Sequence, residues 1–190
     1  VELMNAKARE IGMTHTTFRS PHGLPPSNRR IADGDLTTPR DMAVLGRYLI
    51  QNTDVLKYTS VRERPFRDGQ PTGRIIMRNH NHLLGKVAGV DGLKTGYTAG
   101  AGFCLTATAQ RNGRRIIAVI MDSPSAKVRD LKMIELLEKG FSLLPPSDSP
   151  LTIAPIPPKP ADASPVQPDQ SASKPATDTP PVIQFSIPSR

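Results

Sequence analysis

Apolar residues recur at helical spacing in three parts of the chain. The first part, residues 1–11, is followed by Gly12, which suits the position just past a helix end. The second part, residues 39–52, follows Thr38, which fits the capping position before a helix. The third part covers residues 125–144. Its predicted inward residues are Val128, Leu131, Ile134, Leu137 and Leu144.

Other segments have the composition of β-strands joined by tight turns. Residues 61–67 and 74–78 flank a Gly- and Pro-containing turn, and Pro65 restricts the first of these strands to a sheet edge. Residues 103–110 and 114–122 flank Asn112-Gly113, a strong short-range signal for a β-hairpin. With a further strand at 93–98, the pattern predicts a mixed α/β (α+β) fold, in which helices cover an antiparallel sheet.

Composition divides the chain into two parts. Thirteen of its 20 prolines lie after Leu144, within a stretch also rich in Ser, Ala and Asp. Such a segment cannot bury a core, so we expect residues 145–190 to be a disordered, proline-rich tail or linker. Residues 1–144 are the predicted folded domain. Because helical periodicity is already present at Val1, we expect the chain to be an excerpt that lacks the beginning of its domain.

The chain carries a net charge of +8, of which the predicted domain contributes +9 and the tail −1. Its basic residues are scattered, with few aromatic residues between them and no groove-binding motif, so we predict that it binds no nucleic acid. The single cysteine, Cys104, rules out an internal disulfide. No apolar run reaches the length of a membrane span.

The stretch GVDGLKTGYTAGAG at 89–102 places one lysine among several glycines. In a strand, Lys94 and Gly96 share one face, and a lysine on an inner face needs a carboxylate, a hydroxyl or an anionic ligand. Because Gly96 has no side chain, a second extended backbone could lie alongside the strand at this point. The combination predicts a site that binds the carboxylate end of a peptide beside a sheet edge.

Lys94-Thr95-Gly96 resembles the Lys-Thr-Gly motif of the serine penicillin-recognising enzymes. Three residues alone recur by chance, but four longer stretches occur in the order MNAKAREIGMTHTTFRSPHGL, TTPRDMAVLGRYLI, NHNHLL and GVDGLKTGYTAGAGFCLTATAQRNGRRIIAVIMD. Together they resemble the low-molecular-weight D-alanyl-D-alanine carboxypeptidases over essentially all of residues 1–144. The resemblance implies a β-lactamase/transpeptidase-like fold, with this chain as the C-terminal part of the catalytic domain.

The resemblance also implies roles for individual residues. Lys94 corresponds to the motif lysine that supports the electrostatics of the nucleophilic serine and substrate. Thr95 corresponds to the hydroxyl that binds the terminal carboxylate, and Gly96 to the position that leaves room for the acyl donor. Tyr97 would contribute its backbone N–H to the oxyanion hole. Arg129 aligns with an arginine for the carboxylate of the terminal D-alanine, although an arginine there is often merely solvated.

The function implied by the resemblance is hydrolysis of the terminal D-alanine from peptidoglycan pentapeptides through an acyl-serine intermediate, without metal or cofactor. β-Lactam antibiotics would inhibit it, and its location would be periplasmic, with inner-membrane association left open. The nucleophilic Ser-x-x-Lys and the Ser-x-Asn motif of the family are missing from residues 1–144. A literal match at Ser171–Lys174 lies in the proline-rich tail and is interpreted as coincidence. The chain alone is therefore expected to be inactive.

Four further interpretations remain as alternatives, two for individual residues and two for the function. His80 and His82 could form a metal pair, but the flanking asparagines match a family element that favours a structural turn, and the family often carries arginine at position 80. Asp91 and Asp122 could act as paired acid and base, but capping of turns at strand ends is the simpler interpretation. A β-lactamase and a non-catalytic cell-wall binding module remain as rival functions.

Overall fold

A computed structural model describes residues 1–28, 30–67, 69 and 72–145. The predicted tail therefore lies outside the described residues from position 146 onward, as does the Ser171–Lys174 match. The helices are α1 (Glu2–Glu10), α2 (Pro39–Asn52), α3 (Val55–Thr59) and α4 (Ala126–Ser142). The strands are β1 (Glu63–Phe66), β2 (Ile75–Arg78), β3 (Val90–Thr98), β4 (Gly102–Arg111) and β5 (Arg114–Ser123).

The strand pairing is antiparallel, as the sequence predicts, but it is divided between two sheets where one is predicted. β1 and β2 form a two-stranded hairpin in which Pro65 faces Ile76, and the second sheet has the order β3-β4-β5. Between β4 and β5, Asn112 and Gly113 have φ angles of 48° and 73°. Two positive φ angles are typical of a type I′ turn, whose twist matches that of the flanking strands. The predicted hairpin is thus confirmed, and β4 is the central strand.

α4 packs against one face of the three-stranded sheet. Small residues of the sheet, Ala107, Ala109 and Ala118, are buried there and leave space for Met133 and Leu137, which have no exposed surface. The predicted inward face of α4 is therefore partly wrong. The buried residues of this helix are Arg129, Met133 and Leu137, whereas Leu131 is 53% exposed. The helix has several apolar rows, and contact with the sheet selects the row at i, i+4 and i+8.

α2 packs on the opposite face of this sheet. An added Cβ at the buried Gly46 would lie 3.5 Å from the Thr106 methyl group and 3.1 Å from a Leu93 methyl group. Because the neighbours of Thr106 on β4 belong to the core beneath α4, alternation along the strand puts α2 on the other side. The predicted cap is confirmed: the hydroxyl oxygen of Thr38 accepts from the Asp41 N–H at 3.2 Å.

A buried carboxylate fastens the loop after α1 to the first turn of α2. One oxygen of Asp41, which is 1% exposed, accepts from the His15 N–H at 2.8 Å and from the Thr16 hydroxyl at 2.6 Å. Burial raises the pKa of Asp41, but the hydrogen bonds from Thr16 and His15 outweigh burial and lower it below its ordinary value. The charged form of Asp41 therefore holds this part of the domain together.

Candidate active site

The segment with the single lysine forms β3, at the edge of the three-stranded sheet. Lys94 faces Thr106 and Gly96 faces Cys104 in the antiparallel pairing with β4. Within the described residues, no strand pairs with the opposite side of β3. An edge strand offers unpaired N–H and C=O groups to an extended peptide, so this side of β3 is open to a strand-like ligand.

A cleft of about 340 Å³ runs along this edge. Its walls come from β3, from the start of α4, from the loop before β3 and from the first part of β4. The lining residues are His80, His82, Lys94, Thr95, Gly96, Tyr97, Phe103, Ala126 and Arg129. The structure thus brings together all five residues that the sequence selects: Lys94, Thr95, Gly96, Tyr97 and Arg129. The Tyr97 ring stacks on Phe103, with ring centroids 4.3 Å apart.

Lys94 differs from its predicted environment. The sequence suggests a lysine on an inner face, whereas the Lys94 side chain is exposed in the cleft. Its ammonium donates a hydrogen bond to the Thr95 carbonyl at 2.5 Å. Within the described part of the chain, no carboxylate forms an ion pair with it. The burial argument for Lys94 is therefore wrong, but the ammonium still lacks a fixed counter-charge on the cleft side of the strand.

The glycines of this stretch serve different purposes. A Cβ added at Gly92 would lie 2.7 Å from the Thr59 hydroxyl, so this glycine permits close packing inside the protein. Gly102 has a φ of 63°, and a Cβ there would lie 2.8 Å from the Asp122 backbone. By contrast, a Cβ at Gly96 would meet no atom within 4 Å. Of these three glycines, only Gly96 faces open space in the cleft.

Arg129 reaches the cleft from the first turns of α4, whose N-terminus is capped by Ser125. The residue is only 3% exposed, which excludes the alternative of a solvated surface arginine. Its Nε and one terminal nitrogen, Nη2, donate to Oδ1 of Asp130 at 2.9 and 2.7 Å. The other terminal nitrogen, Nη1, has no hydrogen-bond partner within the described residues. The guanidinium therefore keeps donors available beside the cleft.

Two asparagines shape the loop that precedes β3. The amide of Asn79 donates to the carbonyls of Thr59 and Val61 at 3.1 and 3.0 Å. Asn81 is 2% exposed, donates to the Gly92 carbonyl at 3.0 Å and accepts from the Leu83 N–H at 3.2 Å. These side chains replace regular backbone pairing, which supports the structural-turn reading of the Asn-x-Asn element.

The histidines between and after these asparagines project into the cleft region. Nδ1 of His82 lies 3.1 Å from Oδ2 of Asp130, while His80 lines the cleft. Within residues 1–28, 30–67, 69 and 72–145, no three side chains of suitable type are grouped to hold a metal ion. Sequence reasoning missed Asp130, because adjacent residues of a helix do not normally contact each other and no motif marks this position.

Asp91 and Asp122 do not form a carboxylate pair. Asp91, at the beginning of β3, accepts two hydrogen bonds from Arg115 at 2.7 and 2.8 Å. Asp122 is near the end of β5, and β3 and β5 run parallel, so the two residues lie toward opposite ends of the sheet. The capping interpretation is wrong for Asp91, because its carboxylate is used in a cross-sheet ion pair.

Comparison with known protein families gives a consistent match. The family model described as D-alanyl-D-alanine carboxypeptidase matches residues 1–125. The D-alanyl-D-alanine carboxypeptidase DacF of Bacillus subtilis is 34% identical over 142 residues, which cover 75% of this chain and 35% of the relative. DacC of Escherichia coli is 37% identical over 142 residues, or 74% of this chain and 33% of the relative. The chain thus spans about a third of the length of these curated relatives.

Solved structures are similar over the same region. Penicillin-binding protein D2 of Listeria monocytogenes, in its ampicillin-bound form, aligns with a TM-score of 0.64 and 33% identity, covering 74% of this chain and 55% of that protein. The D-alanyl-D-alanine carboxypeptidase DacD of Francisella tularensis aligns with a TM-score of 0.66 and 28% identity, covering 74% and 44%. The predicted β-lactamase/transpeptidase-like fold is thereby confirmed.

Proposed function

This chain belongs to the D-alanyl-D-alanine carboxypeptidase family, and on that premise we propose that it supplies the substrate-binding half of a serine-type carboxypeptidase site. The complete polypeptide would remove the terminal D-alanine from peptidoglycan pentapeptides. Its nucleophilic serine would lie in a segment that is not among these 190 residues. The 190-residue chain by itself would form no acyl-enzyme.

One observation carries this proposal. Lys94, Thr95 and Gly96 lie on a strand edge that has no strand partner among the described residues, and Arg129 from α4 lies on the wall of the same cleft. An extended peptide can add to such an edge through main-chain hydrogen bonds, while cations near its end bind a free carboxylate. A carboxypeptidase needs both features, because its substrate ends in a carboxylate next to the bond that is cleaved.

Carboxylate recognition would fall to Thr95 and Arg129. The hydroxyl of Thr95 would donate to one oxygen of the terminal carboxylate, and Nη1 of Arg129 would donate to the same group. An arginine is suited to this task because its planar fork directs several donors and remains charged at every relevant pH. Gly96 would leave room for the residue on the acyl side, which agrees with the open space at its Cα.

Catalysis would use the ammonium of Lys94 and the N–H of Tyr97. The ammonium would stabilise negative charge that develops on the nucleophile and the substrate, and no carboxylate among the described residues neutralises its own positive charge. The N–H of Tyr97 would donate to the carbonyl oxygen as it becomes an oxyanion. Both contributions are electrostatic, so they depend on where the ammonium and the N–H are held and not on a reaction of either group.

The reaction would proceed in two steps. In the first, the serine oxygen bonds to the carbonyl carbon of the penultimate D-alanine, the peptide bond to the terminal D-alanine breaks, and the serine proton is transferred to the amine of the departing D-alanine. In the second, water attacks the acyl-serine, and the ester bond breaks to return the serine and release the shortened peptide. β-Lactams would acylate the same serine.

The site would work in the periplasm, where peptidoglycan is accessible. Among the described residues, every helix is too short or too polar to cross a bilayer.

The test compares the complete polypeptide with the 190-residue chain. We expect the complete protein to release D-alanine from a peptide ending in D-Ala-D-Ala and to become labelled by a fluorescent penicillin. The 190-residue chain should show neither reaction. A complete protein that releases no D-alanine, or a short chain that becomes covalently labelled, would contradict the proposal.

The same assays separate the two rival functions. A β-lactamase would hydrolyse the penicillin rapidly and release the label, whereas a carboxypeptidase retains it. A non-catalytic cell-wall binder would sediment with purified sacculi without any turnover. Its binding would fall steeply with salt, because scattered basic residues attract an anionic polymer mainly through screened charges.

A further inference from the structure

A chain of hydrogen bonds crosses one end of the cleft and does not involve the Lys-Thr-Gly segment. Oδ1 of Asp130 accepts from Nε and Nη2 of Arg129, at 2.9 and 2.7 Å. Oδ2 of the same carboxylate lies 3.1 Å from Nδ1 of His82. Exposure rises along this chain, from 4% for the Arg129 side chain to 16% for Asp130 and 57% for His82. Asp130 is thus the link between a buried cation and an exposed ring.

The pairing of Arg129 with Asp130 restricts the direction of the guanidinium. Successive residues of a helix point about 100° apart, so neighbours in sequence do not normally contact each other. The Arg129 side chain must therefore bend toward Asp130, and the hydrogen bonds of Nε and Nη2 occupy one edge of the guanidinium. The remaining terminal nitrogen, Nη1, is the one without a partner among the described residues. The carboxylate of Asp130 thereby determines which donor of Arg129 is free.

Asp130 is in turn connected to the strand that carries the Lys-Thr-Gly segment. His82 follows Asn81, whose buried amide donates to the Gly92 carbonyl at the beginning of β3. Through His82, Asp130 is therefore tied to a loop that is anchored on β3. The hydrogen bonds fix α4 relative to the edge of β3, and a carboxylate between Thr95 and Arg129 requires that spacing to be constant.

We propose that Asp130, held by His82, is a positioning residue that aims Nη1 of Arg129 at the terminal carboxylate of the peptide substrate. The inference rests on the proposed function and adds a determinant of its substrate recognition. His82 acts as a donor, since its Nδ1–H points to a carboxylate oxygen that can only accept. Neither Asp130 nor His82 contacts the reacting atoms in this arrangement.

Asp130 has two effects on Arg129 with opposite consequences for substrate binding. Its negative charge offsets the positive charge of the guanidinium, so removal of Asp130 would strengthen attraction to the substrate. Its hydrogen bonds orient the fork, so removal would misalign Nη1. Hydrogen bonds weaken steeply with angle, so a misdirected Nη1 loses most of its bond to the substrate carboxylate. The loss of orientation therefore prevails, and KM rises.

The experiment uses the complete polypeptide and two peptides, one ending in D-Ala-D-Ala with a free carboxylate and one with the same end amidated. For the carboxylate peptide, Asp130→Asn should raise KM about tenfold, as expected for one weakened charge-assisted hydrogen bond, while kcat stays within about twofold. His82→Ala should raise KM about threefold, and His82→Asn, which keeps a donor near the same place, should restore it. The amidated peptide should show none of these changes.

A double variant tests whether His82 acts through Asp130. In the Asp130→Asn background, His82→Ala should add almost nothing, because the link is already broken. Glu138→Gln is the matched control, since it removes another carboxylate of α4 that pairs with Arg111 and not with a cleft residue. It should leave KM for both peptides unchanged.

Several results would overturn the inference. With an active wild type, an unchanged or lowered KM in Asp130→Asn shows that the carboxylate does not orient Arg129, and equal changes for both peptides show a general structural effect. A wild type that releases no D-alanine contradicts the proposed function instead. If thermal melting shows that Asp130→Asn is poorly folded, the His82→Ala and His82→Asn comparison decides the question, because both variants keep Asp130.

Discussion

The two ends of the three-stranded sheet differ in how their cationic side chains are paired. At the end with the β4–β5 hairpin, Arg115 donates two hydrogen bonds to Asp91, and Arg111 donates two to Glu138. Among the described residues at the cleft end, Lys94 has no carboxylate partner and Nη1 of Arg129 has no hydrogen-bond partner. Arg111 and Arg115 are therefore paired with carboxylates within the protein, although Nη2 of the nearby Arg114 is buried without a hydrogen-bond partner among the described residues. At the cleft end, Lys94 and Arg129 leave donors for a ligand.

This difference identifies the candidate site more sharply than the concave shape does. Positive charges that are paired inside the protein contribute to stability and gain little from an added anion. Donors that converge on an open edge, with no partner among the described residues, remain available to a ligand. The glycines follow the same division, since Gly92 faces packed protein atoms and Gly96 faces an empty cleft.

The largest expected effect comes from removal of the Lys94 ammonium at the cleft end. Lys94→Met in the complete polypeptide keeps the length and apolar stem of the side chain but removes its charge. We expect D-alanine release to fall about 10²- to 10³-fold, the usual cost of losing one preorganised electrostatic contact in an active site. The fluorescent-penicillin acylation rate should fall in parallel.

Lys86→Met is the control for Lys94→Met, because Lys86 is an exposed lysine that does not line the cleft. Both variants should melt at nearly the wild-type temperature, since neither lysine has an ion-pair partner in the described part of the chain. Wild-type turnover by Lys94→Met would show that the open cation is not part of the catalytic machinery.

A second comparison uses two glycines of β3 that lie four residues apart. Gly92→Ala places a methyl group 2.7 Å from the Thr59 hydroxyl, so we expect a loss of about 1–3 kcal/mol in the free energy of unfolding, the usual cost of overpacking. Gly96→Val places its side chain in open space and should change stability by less than about 0.5 kcal/mol. Urea unfolding measures both values.

For substrate binding we expect the opposite ranking, with the larger effect in Gly96→Val and the smaller in Gly92→Ala. Gly96→Val should raise KM for the D-Ala-D-Ala peptide by about tenfold, because the added branch occupies space along the edge where the peptide would bind. Gly92→Ala should leave KM unchanged in the fraction that is folded. If Gly96→Val binds substrate normally, the peptide does not lie along this part of β3.

The features that the sequence predicted well depend on neighbouring residues. The Thr38 cap, the helix that follows it and the Asn112-Gly113 turn each require only a few adjacent residues with the right propensity. Their geometry is therefore determined locally. The family motif likewise identifies residues 94–97 from the sequence alone, because these four residues are consecutive in one strand.

The features that sequence reasoning missed depend on contacts between distant segments. The buried face of α4 is chosen by the sheet beneath it, so helical periodicity alone selected Leu131, which is exposed. Asp91 looked like a turn cap because its partner, Arg115, lies 24 positions away. The five-residue helix α3 has too short a pattern to be recognised from periodicity.

The smallest effect is expected at the paired end, from Glu138→Gln. The hydrogen bonds from Arg111 lower the pKa of Glu138 below its ordinary value, so the folded state favours the ionised carboxylate. The contribution of the pair to stability is therefore complete above the unfolded pKa of about 4.3 and is lost as the pH falls through the lower folded pKa.

Because Glu138 is exposed, the difference in Tm between the variant and the wild type should be small at neutral pH. It should disappear in acid and in about 1 M salt, where charges are screened over about 3 Å. A difference that grows in acid would mean that Glu138 stabilises the fold in its protonated form, and the division between a paired and an open end of the sheet would then not rest on charge.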